Sequence, residues 1–173
     1  MSFVKVELRT SVANKALKLM SRRYSTNNQR EMQIGLLGEY AVAQWLESEG
    51  KTVNHCSVAE MRFAEREGSA DLSYMSRYGE QVNVQVKATE FDTCWITAGC
   101  LKGYLCRNVH EIYFVDVFIN GPVTTAFIYH QTTPQRIKAQ WVEVDKGKRL
   151  IHPSLHRARR RYTGINQTEE VSK

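Results

Sequence analysis

The most unusual residue of this sequence is Lys87, because it lies among valines in a segment that alternates between apolar and polar residues. Apolar residues occupy every second position from 82 to 88, and Asn83, Gln85, Lys87 and Thr89 occupy the positions between them, which is the pattern of a half-buried β-strand. The Gln85 side chain therefore leaves the same face of the strand as Lys87. A buried ammonium group is costly unless it is paired, so this face requires a partner for the lysine.

The candidate partner is Asp71, which stands near the start of another alternating segment, residues 70–75. A turn at Tyr78-Gly79-Glu80 separates the two segments, so we predict an antiparallel hairpin. The hairpin would bring a carboxylate, an amide oxygen and an ammonium group together at one edge of a sheet. These residue types admit two interpretations: a chemical site, or a structural Asp–Lys pair with a hydrogen-bonded glutamine.

A further candidate is Glu39, on a predicted helix. Asn28 and Glu31 resemble a capping box, so the helix should begin there and end at Gly50. Its apolar stripe consists of Ile34, Leu37, Ala41, Val42 and Trp45. Glu39 lies at the border of that stripe, where its carboxylate can point into a site beneath the helix or remain an ordinary acid on the helix flank. Gly38, inside the stripe, would allow another backbone to approach closely.

The remaining elements follow from hydrophobic periodicity and turn residues. We predict helices over residues 4–24 and 132–140, and strands over residues 53–58, 111–119 and 124–129. The 111–119 strand is apolar on both faces and should be central in a covered sheet. Residues 91–110 are ambiguous, with a short strand expected near Trp95 and a helix or loop near Leu101. This order predicts an α/β fold, a mixed sheet covered by helices.

Three segments together resemble the PD-(D/E)XK nuclease superfamily, over roughly residues 31–130. Gly38-Glu39 is similar to the helix that precedes the core, Ser69-Ala70-Asp71-Leu72 to the strand start with its aspartate, and Gln85-Val86-Lys87-Ala88 to the third motif. Two positions depart from the family pattern: Ala70 replaces the usual proline, and Gln85 replaces the usual glutamate, a variant that subgroups of the family carry.

The resemblance implies a restriction-endonuclease-like mixed β-sheet flanked by helices and metal-dependent hydrolysis of DNA phosphodiesters. It implies Mg²⁺, for which Mn²⁺ can substitute, held by Asp71, the Gln85 side-chain oxygen and the Val86 carbonyl. Glu39 would hold the metal through water or bind a second ion, and Lys87 would orient the attacking water and stabilise developing negative charge. The implied catalytic residues are therefore Glu39, Asp71, Gln85 and Lys87.

The placement of charge favours a polyanionic partner. Residues 1–30 carry seven basic residues and one acidic residue, net +6; residues 31–150 carry twelve and fifteen, net −3; residues 151–173 carry five and two, net +3. We therefore predict a basic N-terminal helical extension, a nuclease-like domain and a basic C-terminal tail over these three ranges. The predicted DNA-phosphate contacts are Arg22, Arg23, Arg157, Arg159, Arg160 and Arg161. The alternative is that these charges serve solubility.

The expected substrate is double-stranded or branched DNA, and homing, restriction-like and junction-resolving roles are all compatible with the fold. Cutting two strands needs two sites, so a homodimer or higher homo-oligomer is expected. The competing hypotheses are a catalytically inactive DNA-binding protein with the same fold, and a small nucleic-acid adaptor acting through its basic ends. No signal peptide or long apolar run is evident, which favours a cytoplasmic protein. The four cysteines are expected to be buried, reduced thiols.

Overall fold

A computed structural model describes residues 3–21, 29–55, 70–90, 95–121, 123–144 and 149–151. Its elements are, in chain order, β1 (Val4–Leu8), α1 (Thr10–Ser21), α2 (Gln29–Ser48), β2 (Val53–His55), β3 (Leu72–Met75), β4 (Gln81–Thr89), β5 (Trp95–Thr97), α3 (Ala98–Cys106), β6 (Glu111–Asn120), β7 (Val123–Thr132), α4 (Pro134–Gln140), β8 (Val142–Val144) and β9 (Arg149–Ile151). None of the helices described is long and apolar enough to span a membrane.

Six strands form one mixed sheet in the order β1-β7-β6-β4-β3-β2. β4 and β6 are parallel, and the other neighbouring pairs are antiparallel. β5, β9 and β8 form a second, small sheet, which the sequence patterns did not predict because β8 and β9 have three residues each. The expected α/β class, a mixed sheet with helices against it, is confirmed.

The sheet separates two hydrophobic clusters. One consists of buried residues of α2, of Ala13 of α1 and of one face of β1, β3, β4, β6 and β7. The other lies against the opposite face and joins Ile112 and Phe114 of β6 to residues of β5, α3, α4 and β9. β6 contributes to both clusters, and its residues from Ile112 to Val117 are buried. The prediction of a central strand that is apolar on both faces is therefore confirmed.

The predicted hairpin is also confirmed. β3 and β4 are antiparallel neighbours, with Leu72 opposite Val84 and Met75 opposite Gln81. The ambiguous segment contains both expected elements, the strand at Trp95 and the helix around Leu101. The short C-terminal helix begins as predicted, because the Thr133 hydroxyl caps it and Pro134 occupies its first turn.

Two expectations were wrong. A helix over residues 4–24 was expected, but Val4–Leu8 is a strand paired with β7, and the helix begins at Thr10. The physical reason is that Val6 and Leu8 bury their side chains against α2 while Lys5 and Glu7 stay exposed, a period of two that the helical interpretation overlooked. Buried thiols were expected, but of the two cysteines within the described residues Cys106 is exposed and Cys100 is half-buried; Cys56 and Cys94 lie outside the described residues.

Candidate functional site

The candidate site is built on β4, whose two faces have different partners. Val84 and Val86 are buried in the core beneath α2, and a Cβ atom built on Gly38 of α2 would lie 2.4 Å from the Cβ of Ala88. The close approach predicted for Gly38 is thus confirmed. Because side chains alternate along a strand, the Gln85 side chain is directed to the other face, away from α2.

Asp71 stands directly before β3, at the point where β4 continues beyond its neighbour. Its N–H donates to the Val84 carbonyl at 3.0 Å. Its Oδ2 accepts a hydrogen bond of 2.7 Å from the Val86 N–H and another from the Gln85 Nε2. The Asp71 carboxylate therefore occupies the ladder position that β3 leaves open, and the predicted meeting of Asp71 with Gln85 is observed.

The Val86 main chain faces the same place. In an extended strand the N–H and C=O of one residue point to the same side, and the Val86 N–H points at Asp71. The Val86 carbonyl is consequently directed past the end of β3, next to the Asp71 carboxylate. The Asp71 carboxylate, the Val86 carbonyl and the Gln85 amide therefore lie together beside the end of β3.

Lys87 is half-buried on the same face of β4 as Gln85. Its Nζ lies 5.6 Å from the centroid of the Tyr104 ring. Burial alone would lower the pKa of the Lys87 ammonium, but its interactions with Tyr104, Cys100 and Asp71 outweigh burial and raise the pKa above its ordinary value. Lys87 therefore carries its proton at neutral pH, and Asp71 is close enough to contribute to holding it.

Tyr104 is the residue of this site that sequence reasoning missed. It lies on α3 and is 3% exposed, and burial raises the pKa of its hydroxyl despite the opposing effect of Lys87. Its hydroxyl thus stays protonated beside the ammonium group. The three-residue spacing of Leu101 and Tyr104, both buried, was the available signal, but the contact with Lys87 joins segments seventeen residues apart.

A cavity of about 550 Å³ opens beside Lys87, between α2, the end of β4, β5 and α3. Glu90 lies at its wall and is held by Arg30 of α2, whose Nε donates to Glu90 Oε1 at 3.0 Å. The half-exposed Trp95 also lines this cavity, with the Arg149 guanidinium 5.3 Å from its ring centroid. The cavity is therefore polar at one wall and aromatic at another, and it is wide enough for a small substrate group.

Glu39 is half-buried on α2. That helix packs on the Val84–Val86 face of β4, so Glu39 approaches the strand from the side opposite to the Gln85 and Lys87 side chains. Burial raises the pKa of the adjacent Tyr40 hydroxyl, and the negative charge of Glu39 raises it further. The described ranges contain no group of three or more His, Cys, Asp or Glu side chains that could hold a metal ion.

The donor set at Asp71 can nevertheless accept a hard cation. Carboxylate, amide and main-chain carbonyl oxygens are the ligands that Mg²⁺ and Ca²⁺ take. In the structure the Gln85 amide presents its nitrogen to Asp71, and half a turn about its last bond presents the oxygen instead. The residues fit such an ion with a single carboxylate, which gives less negative charge than the usual motif would.

The six arginines predicted to contact DNA, namely Arg22, Arg23, Arg157, Arg159, Arg160 and Arg161, lie outside the described residues. Comparisons of the chain with protein-family models, with curated proteins and with solved structures found no match. The function of this chain is therefore inferred from the site itself and from the resemblance of its three motifs.

Proposed function

We propose that this protein is a metal-dependent DNA endonuclease with a restriction-endonuclease-like fold. The observation that carries the proposal is that Asp71 accepts hydrogen bonds from Gln85 and from the Val86 main chain where β4 extends past β3, with the half-buried Lys87 on the same face of β4 as Gln85. The contact of Asp71 with Gln85, and the position of Lys87 two residues further along the same face of β4, support the arrangement that the resemblance implies. The mixed sheet with helices on it supports the same assignment.

In the proposed reaction, Asp71, the Gln85 side-chain oxygen and the Val86 carbonyl hold Mg²⁺ or Mn²⁺. A divalent cation bound there supplies positive charge against the phosphate and makes water a better nucleophile. Lys87 donates hydrogen bonds from its protonated Nζ, which orient the attacking water and stabilise the negative charge that develops on the phosphate oxygens. Tyr104 positions that ammonium group. Glu39 approaches β4 from the face on which α2 packs, so its proposed role as a second carboxylate requires it to reach the ion from that side, through water.

The proposal is tested by cleavage assays on linear duplex DNA, a four-way junction and flapped DNA, with Mg²⁺ or Mn²⁺. Asp71→Ala and Lys87→Ala should abolish cleavage while DNA binding survives, because groups that act on metal and water typically contribute orders of magnitude to the rate. Lys138→Ala is the matched control, since Lys138 is an exposed lysine on α4. Cleavage that persists in Lys87→Ala would overturn the assignment of this site.

A second candidate is a DNA-binding protein that has the fold without the chemistry. The observation in its favour is that Asp71 Oδ2 already accepts two N–H groups, one of them from Gln85. A carboxylate with these hydrogen bonds can serve a purely structural role, in which it completes the pairing with β4 at the end of β3. Wild-type protein that binds DNA but neither binds a divalent ion nor cuts any of the three substrates would establish this alternative.

The third hypothesis is the adaptor that acts through its basic ends. It predicts that DNA binding depends on the two terminal segments and is unchanged by Asp71→Ala. The cleavage assays separate it from the nuclease, because both hypotheses predict DNA binding that survives Asp71→Ala, whereas only the nuclease cleaves DNA with Mg²⁺ and loses that cleavage in Lys87→Ala.

A further inference from the structure

β1 is the terminal strand of the six-stranded sheet in the described part of the chain. The Glu7 carbonyl accepts a hydrogen bond of 3.0 Å from Gln44 Nε2 of α2, so the main-chain groups of Glu7 point away from β7. By the period of two, those of Lys5 point the same way. An edge with outward N–H and C=O groups is a template for pairing with another strand.

The side chains on the outer face of this edge form a self-complementary pattern. Phe3, Lys5, Glu7 and Arg9 are all exposed, and Lys5 and Glu7 already pair within the strand at 2.9 Å. When a second β1 is laid antiparallel with Val6 opposite Val6, Lys5 faces the partner's Glu7 and Glu7 faces the partner's Lys5. Phe3 then faces the partner's Arg9, a cation–π combination.

The backbone fits the same register. Lys5 and the partner's Glu7 would be a hydrogen-bonded pair that exchanges both N–H···O bonds, and the two-fold axis supplies the second such pair. The Glu7 carbonyl can keep Gln44, because a carbonyl oxygen accepts two hydrogen bonds. On the other face, the partly exposed Val4 would lie opposite the partner's Leu8, which is buried within its own chain.

We propose that two copies of this chain associate through β1, antiparallel and centred on Val6, so that the two sheets become one continuous sheet. A two-fold axis at Val6 pairs position 5 of one strand with position 7 of the other. Opposite charges therefore meet only if these two positions carry opposite charges, as Lys5 and Glu7 do. The inference does not rest on the nuclease proposal, because it uses no residue of that site.

Charge reversal tests the register. Lys5→Glu and Glu7→Lys each place like charges opposite each other at both pairs, and each should weaken dimerisation on the order of tenfold or more. An equimolar mixture of the two variants restores opposite charges at every pair and should form the heterodimer. The double variant Lys5→Glu/Glu7→Lys keeps the complementarity and should dimerise like the wild type. Lys102→Glu and Glu80→Lys, exposed and distant from β1 in sequence, are the matched charge controls.

Sedimentation equilibrium over a concentration series measures these states, with circular dichroism to verify folding. A disulfide test complements it, because residues in a non-hydrogen-bonded antiparallel pair lie about 4.5 Å apart at Cα, close enough for a disulfide bond. Val6→Cys should therefore form a covalent dimer under mild oxidation, beyond any that the wild-type cysteines form. A monomeric wild type at high concentration, a dimer insensitive to both reversals, or no Val6→Cys dimer above the wild-type background would each overturn the proposal.

Discussion

Replacing Gly38 by alanine is the sharpest test of how α2 is seated on β4. An alanine in a helix interior is ordinarily favourable over glycine, by about 1 kcal/mol. In this structure the added methyl group would lie 2.4 Å from the Cβ of Ala88 and 3.5 Å from a methyl carbon of Val86. Propensity and packing therefore predict opposite signs for the same substitution.

The magnitude follows from the distance. Ordinary contact begins near 3.4 Å, so α2 and β4 must separate by roughly 1 Å. The obstructing atom is a Cβ attached to a strand backbone, which cannot swing aside, so we take the upper end of the overpacking range, about 3 kcal/mol. After the helix-propensity gain of about 1 kcal/mol, the net loss of unfolding free energy should be about 2 kcal/mol.

Urea unfolding measures this loss as a lower midpoint at unchanged slope. Gly35→Ala is the control, because a Cβ atom built on Gly35 of the same helix would have no neighbour within 4 Å. This substitution should stabilise the protein by up to about 1 kcal/mol. Combining Gly38→Ala with Ala88→Gly removes the opposing methyl group, so the double variant should lose less than the sum of the two single losses. If Gly38→Ala is as stable as Gly35→Ala, the packing argument is refuted.

Two further predictions concern the proposed chemistry, and a third concerns DNA binding by the C-terminal tail. Gln85→Glu should retain Mg²⁺-dependent cleavage, since it restores the commoner carboxylate ligand; loss of cleavage in a folded, DNA-binding variant would contradict the proposed metal set. Tyr104→Phe removes the hydroxyl that helps raise the pKa of Lys87 while burial remains, so the alkaline loss of cleavage in a pH–rate profile should move to lower pH. The contribution of Lys87 to stability, present while it is protonated and lost as pH rises through its folded-state pKa, should end at lower pH as well. Truncation after Ser154 should weaken binding to all DNA sequences and reduce the slope of log K against log[salt] by about 0.9 for each phosphate that the tail no longer neutralises; an unchanged slope would assign the tail's charge to another purpose.

Local pattern was sufficient for the centre of the fold. The strict alternation from Val82 to Thr89 determined both the strand and the face that carries Gln85 and Lys87, because a strand has a side-chain period of two. A short turn joins this strand to the segment of Asp71, and short connections restrict the arrangement to antiparallel neighbours. Gly38 predicted from the sequence that another backbone approaches α2 closely, and the structure identified the approaching residue as Ala88.

Where local signals were balanced, the sequence alone failed. Residues 4–8 have apolar residues compatible with either period, and the decision between helix and strand came from β7, whose edge offered Val4–Leu8 a ladder of main-chain hydrogen bonds. That partner lies more than 110 residues away, so no window of local sequence contains the deciding interaction.

The surroundings of Lys87 show the same division between sequence and tertiary structure. Its residue type and its strand position predicted a buried ammonium group that needs a partner, and Asp71 was found because a hairpin is a local structure. Tyr104 reaches Lys87 from α3, and Arg30 reaches Glu90 from α2. These contacts exist only after the two helices pack on opposite faces of the sheet. Alternation determines which face a side chain leaves, whereas its neighbours beyond that face depend on long-range packing, and only the tertiary structure specifies them.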